Sequence, residues 1–109
     1  MTIDALWVAA AQRSKLPREG VLAVYPKGIA VLLLHKDGEV YAVANRCAHM
    51  ACPLEGGLRE GFIITCPCHD WSFDLRSGEM LEAPEVKLPV FPVRVEGEDV
   101  LVRLPEAGI

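Results

Sequence analysis

Hydrophobic residues along the chain fall into short runs rich in Val, Ile, Leu, Tyr and Phe, and turn residues separate one run from the next. Runs of this kind predict β-strands. The predicted strands are residues 21–25, 29–35, 39–44, 61–65, 71–75, 91–95 and 100–104. Asp37-Gly38 lies between the second and third of them, and Asp-Gly is among the strongest short signals for a β-hairpin turn.

Helices have little room in this chain. Its 8 Pro and 9 Gly are scattered through the whole sequence, and both residue types interrupt helices. The one weak helical candidate is residues 9–15, closed by Pro17. Many short strands with turns at close intervals are typical of an antiparallel β-sandwich or barrel. We therefore expect an all-β fold, and the length of 109 residues suits a single domain covering residues 1–109.

The charge balance disfavours two classes of partner. Asp and Glu number 15 against 11 Lys and Arg, a net charge of −4, whereas nucleic acids and anionic membranes recruit cationic surfaces. Apolar runs are short, with six residues at 29–34, far fewer than the roughly 20 of a membrane-spanning helix. No secretory signal is visible near the N-terminus. We expect a cytoplasmic protein that binds neither nucleic acid nor membrane.

Cysteine and histidine are concentrated in two short segments. All four cysteines and two of the three histidines lie in Cys47-Ala48-His49-Met50-Ala51-Cys52 and Cys66-Pro67-Cys68-His69. Core packing does not explain this pairing, because cysteines used only for packing would be scattered. Thiolate and imidazole together suit zinc or an iron–sulfur centre rather than calcium or magnesium. Nearby Pro and Gly residues indicate loops, so the sequence predicts a metal site between two loops.

The spacing of these residues resembles the Rieske motif. Cys47-x-His49 is followed, after 16 residues, by Cys66-x-x-His69, and Rieske proteins bind a 2Fe-2S cluster through two Cys on one iron and two His on the other. Residues 69–78 and 88–97 are also similar to stretches of soluble Rieske-type ferredoxins. The resemblance implies one cluster per chain, bound by Cys47, His49, Cys66 and His69. It also implies cluster-binding loops at about residues 45–57 and 64–74 on a Rieske-type β-sandwich or barrel.

Two other uses of these residues compete with the cluster. A closed zinc site usually takes closely spaced Cys pairs, which the Cys-x-His and Cys-x-x-His arms fit poorly. An ordinary disulfide scaffold is typical of secreted proteins, but this chain shows no secretory signal and places histidines beside its cysteines. The cluster is therefore favoured over both.

Cys52 and Cys68 are not ligands under this resemblance. The Rieske proteins of cytochrome bc-type complexes are similar to this chain in having a further cysteine in each loop, and those two form a disulfide. The resemblance implies a Cys52–Cys68 bridge that holds the loops together, with a pair of buried free thiols as the alternative. Respiratory Rieske proteins also have Gly-Ser where this chain has Asp70-Trp71, and a hydroxyl-bearing ring near the place of Phe73. Fewer donors imply a reduction potential toward the low end of the Rieske range.

The implied function is electron transfer by a carrier rather than by a stand-alone enzyme. Gly56-Gly57 lacks a following helix, so no dinucleotide-binding fingerprint is formed. We expect a monomeric ferredoxin that passes single electrons from a flavin or iron–sulfur reductase to a terminal oxygenase or similar enzyme. The alternatives are the small subunit of an assimilatory NAD(P)H nitrite reductase and a module in which the cluster is only structural.

Two smaller expectations concern exposure. His35 ends a predicted strand and is expected to be a solvent-facing edge residue. Met50, Leu54 and Pro67 are expected to form an exposed apolar collar around the predicted ligands, which would suit transient docking of a partner.

Overall fold

The computed structural model describes residues 6–46, 54, 56–68 and 71–104. These residues form ten strands: β1 (Leu6–Gln12), β2 (Gly20–Val24), β3 (Val31–Lys36), β4 (Glu39–Ala44), β5 (Leu58–Glu60), β6 (Ile63–Thr65), β7 (Ser72–Asp74), β8 (Val90–Phe91), β9 (Val93–Glu96) and β10 (Asp99–Leu104). Two single 3-10 turns, Arg13–Lys15 and Pro26–Gly28, complete the regular structure of this part of the chain. The all-β prediction is confirmed. Over the same residues, no helix has the length and apolar character needed to span a membrane.

The strands of the described residues form three antiparallel sheets. The central sheet has the order β2-β3-β4-β8, the terminal sheet the order β1-β10-β9 and the small sheet the order β5-β6-β7. Each predicted strand overlaps an observed one, but the run at 91–95 is divided at Pro92. Before it, β8 pairs with β4, and after it β9 pairs with β10. Proline has no N–H to donate to a strand ladder, which explains the change of sheet at this position.

The predicted helix at residues 9–15 is wrong. Residues 9–12 belong to β1, which pairs with β10, and the remaining three form a 3-10 turn. Alanine favours helices, but Val8 and Ala10 pack against a buried cluster that includes Val102. Pairing with a distant part of the chain therefore overrides the local preference.

The predicted hairpin turn at Asp37-Gly38 is confirmed. Both residues have positive φ, 53° and 79°, as a type I′ turn requires. Lys36 pairs with Glu39 directly across the turn. The hairpin thereby sets the register of β3 and β4, the two inner strands of the central sheet.

Strand β3 separates two hydrophobic cores. Residues 31–34 are all buried, because other elements cover both faces of the central sheet. Side chains alternate between the faces of a strand, so Leu32 and Leu34 join one core while Val31 and Leu33 join the other. The first core also contains Val43, Leu54, Ile64, Cys66, Phe73, Leu75, Met80 and Leu88. The second core also contains Leu16, Ala42, Ala44, Phe91, Val100, Val102 and Leu104.

The small sheet packs against the central sheet through Phe62, which lies in the turn between β5 and β6. The ring of Tyr41 meets the Phe62 ring edge to face, with centroids 5.4 Å apart. The Arg76 guanidinium lies 4.2 Å from the Phe62 centroid, and the Lys36 ammonium lies 5.4 Å from it. Cation–π attraction operates at such distances. These contacts fix the orientation of the sheet from which the second predicted loop emerges.

The expectation that His35 is a solvent-facing edge residue is wrong. His35 lies in β3 and pairs with Gly20 of β2 on one side and Val40 of β4 on the other. Its side chain is half-buried, and its Nδ1 atom is buried without a hydrogen-bond partner among the residues that the structure describes. The sequence indicates the strand correctly but does not show that β2 covers its other edge.

Candidate metal centre

One of the four predicted ligands lies in the described part of the chain. Cys66, directly after β6, is fully buried in the first core and has a free thiol. Cys47, His49 and His69 lie outside the described residues. Within residues 6–46, 54, 56–68 and 71–104, no three His, Cys, Asp or Glu side chains are grouped so as to hold a metal ion. The assembly of the four ligands stays a prediction.

Cys68 and Cys66 differ in the oxidation state of their sulfur atoms. Cys68 is exposed and disulfide-bonded. Its partner lies outside the described residues, and Cys52 does so too. The Cys52–Cys68 pairing therefore stays a prediction. A free thiol beside a disulfide-bonded cysteine is the arrangement expected of a ligand next to a bridging residue.

The second predicted loop closes on a short antiparallel stem. Thr65 of β6 pairs with Ser72 of β7, and their hydroxyl oxygens are 2.9 Å apart. One position further, the Cys66 N–H donates to the Trp71 carbonyl at 2.7 Å. The backbone of Cys66 is thus held by the strand ladder while its side chain lies in the core.

The first predicted loop leaves the central sheet at Asn45. The backbone N–H of Asn45 donates to the Ala30 carbonyl at 3.0 Å, which continues the pairing of the central strands. Its side chain is 2% exposed. The Asn45 Oδ1 atom accepts a hydrogen bond of 2.8 Å from the N–H of Leu54. This bond connects the start of the first loop with its end.

The stems of the two loops meet at Gly57. The Gly57 N–H donates to the Leu54 carbonyl at 2.9 Å. A Cβ atom at position 57 would lie 1.9 Å from the carbonyl oxygen of Thr65, so the end of the first loop can run against β6 only because this residue is glycine. Gly56-Gly57 leads into β5 and not into a helix, as the sequence predicts.

The predicted apolar collar is wrong at Leu54. Leu54 is fully buried in the first core together with Cys66, and its backbone N–H is bonded to the buried Asn45 side chain. Pro67 is exposed, and Met50 lies outside the described residues. The exposed apolar side chain of the small sheet is Leu58, with 82% of its surface accessible, which the sequence did not single out.

Strand β7 places a paired carboxylate on the small sheet. The Asp74 carboxylate accepts hydrogen bonds from the Arg76 Nη2 atom at 2.8 Å, from its Nε atom at 3.1 Å and from its backbone N–H at 2.8 Å. The bond from the Arg76 side chain lowers the pKa of Asp74 by more than partial burial raises it. The same pair holds the guanidinium over Phe62, so it contributes to the attachment of the small sheet.

Replacing Asp74 with asparagine is expected to lower stability at neutral pH and to matter less in acid. The pKa of Asp74 in the folded state lies below its ordinary value of 3.8. The carboxylate therefore stabilises the fold fully above that value, and this contribution is lost as the pH falls through the folded-state pKa. Urea titrations of both proteins at about pH 7 and about pH 3 measure the difference. Glu60→Gln, at an exposed carboxylate of the same sheet, is the control, and an equal loss of stability at both pH values for Asp74→Asn would contradict this account.

The described part of the site fits an iron–sulfur ligand. Cys66 shares the first core with Ile64 and Phe73, both fully buried, so its sulfur lies in a dry environment. The stems of the two predicted loops lie side by side at Gly57 and Thr65. A fixed thiolate donor at the junction of two loops is what a cluster bound between them requires.

Comparisons with known proteins agree with this site. The family model for the Rieske 2Fe-2S domain matches residues 6–92. The ferredoxin component of the naphthalene 1,2-dioxygenase system of Pseudomonas aeruginosa is 35% identical over 99 residues, which are 90% of this chain and 95% of that protein.

Solved structures share the fold. The ferredoxin of carbazole 1,9a-dioxygenase from Nocardioides aromaticivorans IC177 superposes with a TM-score of 0.80 at 27% identity, covering 91% of this chain and 98% of that chain. A chain from a complex of reduced oxygenase and oxidized ferredoxin in carbazole 1,9a-dioxygenase has a TM-score of 0.80 at 25% identity, covering 92% of this chain and 94% of that chain. The family that the cysteine and histidine spacing indicated is thereby confirmed. The chain belongs to the Rieske 2Fe-2S domain family and binds one 2Fe-2S cluster.

Proposed function

We propose that this chain is the ferredoxin component of an oxygenase system, a carrier that takes one electron from a reductase and passes it to a terminal oxygenase. The observation that carries the proposal is the match to a dioxygenase ferredoxin component over 95% of that protein's length. A fold neighbour comes from a complex of reduced oxygenase with oxidized ferredoxin, which supports electron transfer by direct docking of the two proteins. These similarities favour an oxygenase ferredoxin over the small subunit of a nitrite reductase. We further propose that the carrier is a monomer and works in the cytoplasm.

The cluster is assigned to Cys47 and Cys66 on one iron and to His49 and His69 on the other. The support among the described residues is Cys66, whose thiol is free and buried at the stem of the second loop. Two thiolates and two neutral imidazoles bring two fewer negative charges than four thiolates do. Reduction is therefore easier than in an all-cysteine site, which is why Rieske potentials lie above those of plant-type ferredoxins.

Cys68 is assigned to a bridge with Cys52 across the two loops. The support is that Cys68 is disulfide-bonded while Cys66 is free. This pairing leaves Cys47 available as the ligand of the first loop. A covalent link between the loops would restrict their movement relative to each other.

The chain's own residues keep one side of the site dry and the other side accessible. When bound, the cluster supplies a one-electron couple. Cys66 shares a core with Ile64 and Phe73, and none of the three has exposed surface, so water is excluded from this side of the site. Beyond Cys66 the loop reaches the surface at Pro67 and Cys68, which are both exposed. A redox centre between a dry core and the surface lies within reach of a docked partner.

Spectroscopy of anaerobically prepared protein, before and after dithionite, tests this function. We expect two irons and two acid-labile sulfides per chain and no electron paramagnetic resonance signal in the oxidised state. Reduction should produce a signal whose average g is lower than that of all-cysteine ferredoxins. The reduced protein should then be reoxidised by a terminal oxygenase turning over its substrate, and not by the heat-inactivated oxygenase.

Each way in which this test can fail has a separate meaning. Zinc in place of iron, or no signal after reduction of iron-replete protein, would contradict the carrier function. A signal of the all-cysteine type would contradict the two histidine ligands while leaving the carrier function standing. A cluster that is reduced but never reoxidised by any oxygenase would indicate the structural module instead.

A further inference from the structure

We infer that Asn45 is a positioning residue for the cluster, and that its buried carboxamide sets the place of the first ligand loop relative to the second. The inference rests on the proposed ligand set, in which Cys47 follows Asn45 by two positions. Asn45 acts through the backbone of Leu54, to which it is hydrogen-bonded.

Backbone hydrogen bonds to two neighbouring segments hold the chain at Asn45. Its own N–H donates to the Ala30 carbonyl at 3.0 Å, and the preceding Ala44 N–H donates to the Pro89 carbonyl at 2.9 Å. The central sheet therefore fixes the backbone at this point from two sides. A polar side chain that is only 2% exposed is unfavourable unless it is hydrogen-bonded, and in this fold its oxygen accepts from the first loop.

The hydrogen bond from Leu54 closes the part of the first loop that contains Cys47 and His49. The N–H of Leu54 and the Asn45 Oδ1 atom are 2.8 Å apart across nine positions of sequence, and both Cys47 and His49 lie between them. Tying the two ends of a loop removes many of the conformations that its interior can adopt. The fully buried Leu54 side chain holds the far end in the first core.

A continuous set of contacts then leads to the second loop. The Leu54 carbonyl accepts from the Gly57 N–H, and Gly57 lies against the carbonyl of Thr65, the residue before Cys66. The path from Asn45 to Cys66 is made of protein alone. The ends of the two loops are thus linked through contacts between residues of the protein.

The experiment compares the release of the cluster with the stability of the fold. Asn45→Ala leaves the buried N–H of Leu54 without its acceptor, and Val102→Ala, in the second core at 0% exposure, is the control for general loss of stability. Both holoproteins are treated with an iron chelator at a temperature where circular dichroism shows them folded. Bleaching of the cluster absorbance gives the rate of release, and resonance spectra of the reduced proteins report cluster geometry.

We expect Asn45→Ala to release its cluster at least about tenfold faster than the wild type and to broaden or shift the resonance signal. Val102→Ala should show a comparable drop in thermal midpoint, an unchanged signal and a release rate within about threefold of the wild type. Equal release rates and equal spectra in the two variants would overturn the inference. If Asn45→Ala does not fold, Asn45→Gln, which retains the carboxamide but displaces it by one methylene, should give the same changes in weaker form, and unchanged release and spectra there would overturn the inference too. Failure of the proposed function would be visible separately, in the wild-type spectrum.

Discussion

Replacing Cys66 with alanine is expected to abolish the cluster, whereas replacing Cys68 with alanine should leave most of it in place. The two residues are two positions apart in one loop, but Cys66 is buried with a free thiol and Cys68 is exposed and disulfide-bonded. With Cys66 as a ligand, its loss leaves one iron with a single protein thiolate, that of Cys47, and no neighbouring free thiol replaces it within the described residues. Loss of Cys68 removes only a link between the loops, so cluster binding should weaken but survive.

Iron and acid-labile sulfide analysis after anaerobic reconstitution measures both effects, and visible absorption confirms the state of the cluster. We expect less than about one-tenth of the wild-type iron in Cys66→Ala and more than about one-half in Cys68→Ala. Retention of the cluster by Cys66→Ala would remove this residue from the ligand set. The reverse order of the two variants would show that the ligand and bridging roles are exchanged.

Most of the strands could be predicted because each is a hydrophobic run with its own turn residues. The β3–β4 hairpin is the clearest case, since Asp37-Gly38 has the positive φ values that the turn requires. Strand β1 was missed because its alanines favour a helix locally and its partner, β10, lies at the other end of the described chain. Strand β5, Leu58–Glu60, contains two charged residues and no hydrophobic run, and its pairing with β6 is not visible in composition.

The chemistry of the site could be predicted from residue type and spacing, but the way in which the loops are held could not. The cysteines and histidines stand out because they occur in two Cys/His pairs, and thiolate together with imidazole is typical of a zinc or iron–sulfur site. Asn45, Leu54, Gly57 and Thr65 are joined by a side-chain hydrogen bond at Asn45 and by backbone contacts among the other three, which sequence spacing does not reveal. Because these contacts are not visible in the sequence, Leu54 was wrongly expected at the surface. A weak signal existed for Asn45, the one asparagine of the chain, between a hydrophobic run and a predicted ligand.

Replacing Gly57 with alanine is expected to lower the free energy of unfolding by about 3 kcal/mol, with Gly56→Ala as the matched control. The added methyl group would lie 1.9 Å from the Thr65 carbonyl oxygen, whereas a Cβ at Gly56 would meet nothing within 4 Å. Thr65 cannot move aside easily, because it lies in the middle strand of the small sheet and pairs with Leu58 on one side and Ser72 on the other. The strain therefore has to be relieved at the junction of the two loops, and Gly57→Ala should lose cluster along with stability.

Urea unfolding followed by circular dichroism, on samples of equal iron content, measures the difference between the two glycine variants. Gly56→Ala should stay within about 0.5 kcal/mol of the wild type, as exposed substitutions usually do. Two variants of equal stability would show that the first loop does not press against β6, and the contact path from Asn45 to Cys66 would then be broken at Gly57. If Gly57→Ala is destabilised but keeps its cluster as firmly as the wild type, the contact at Gly57 stabilises the small sheet and does not position the ligands.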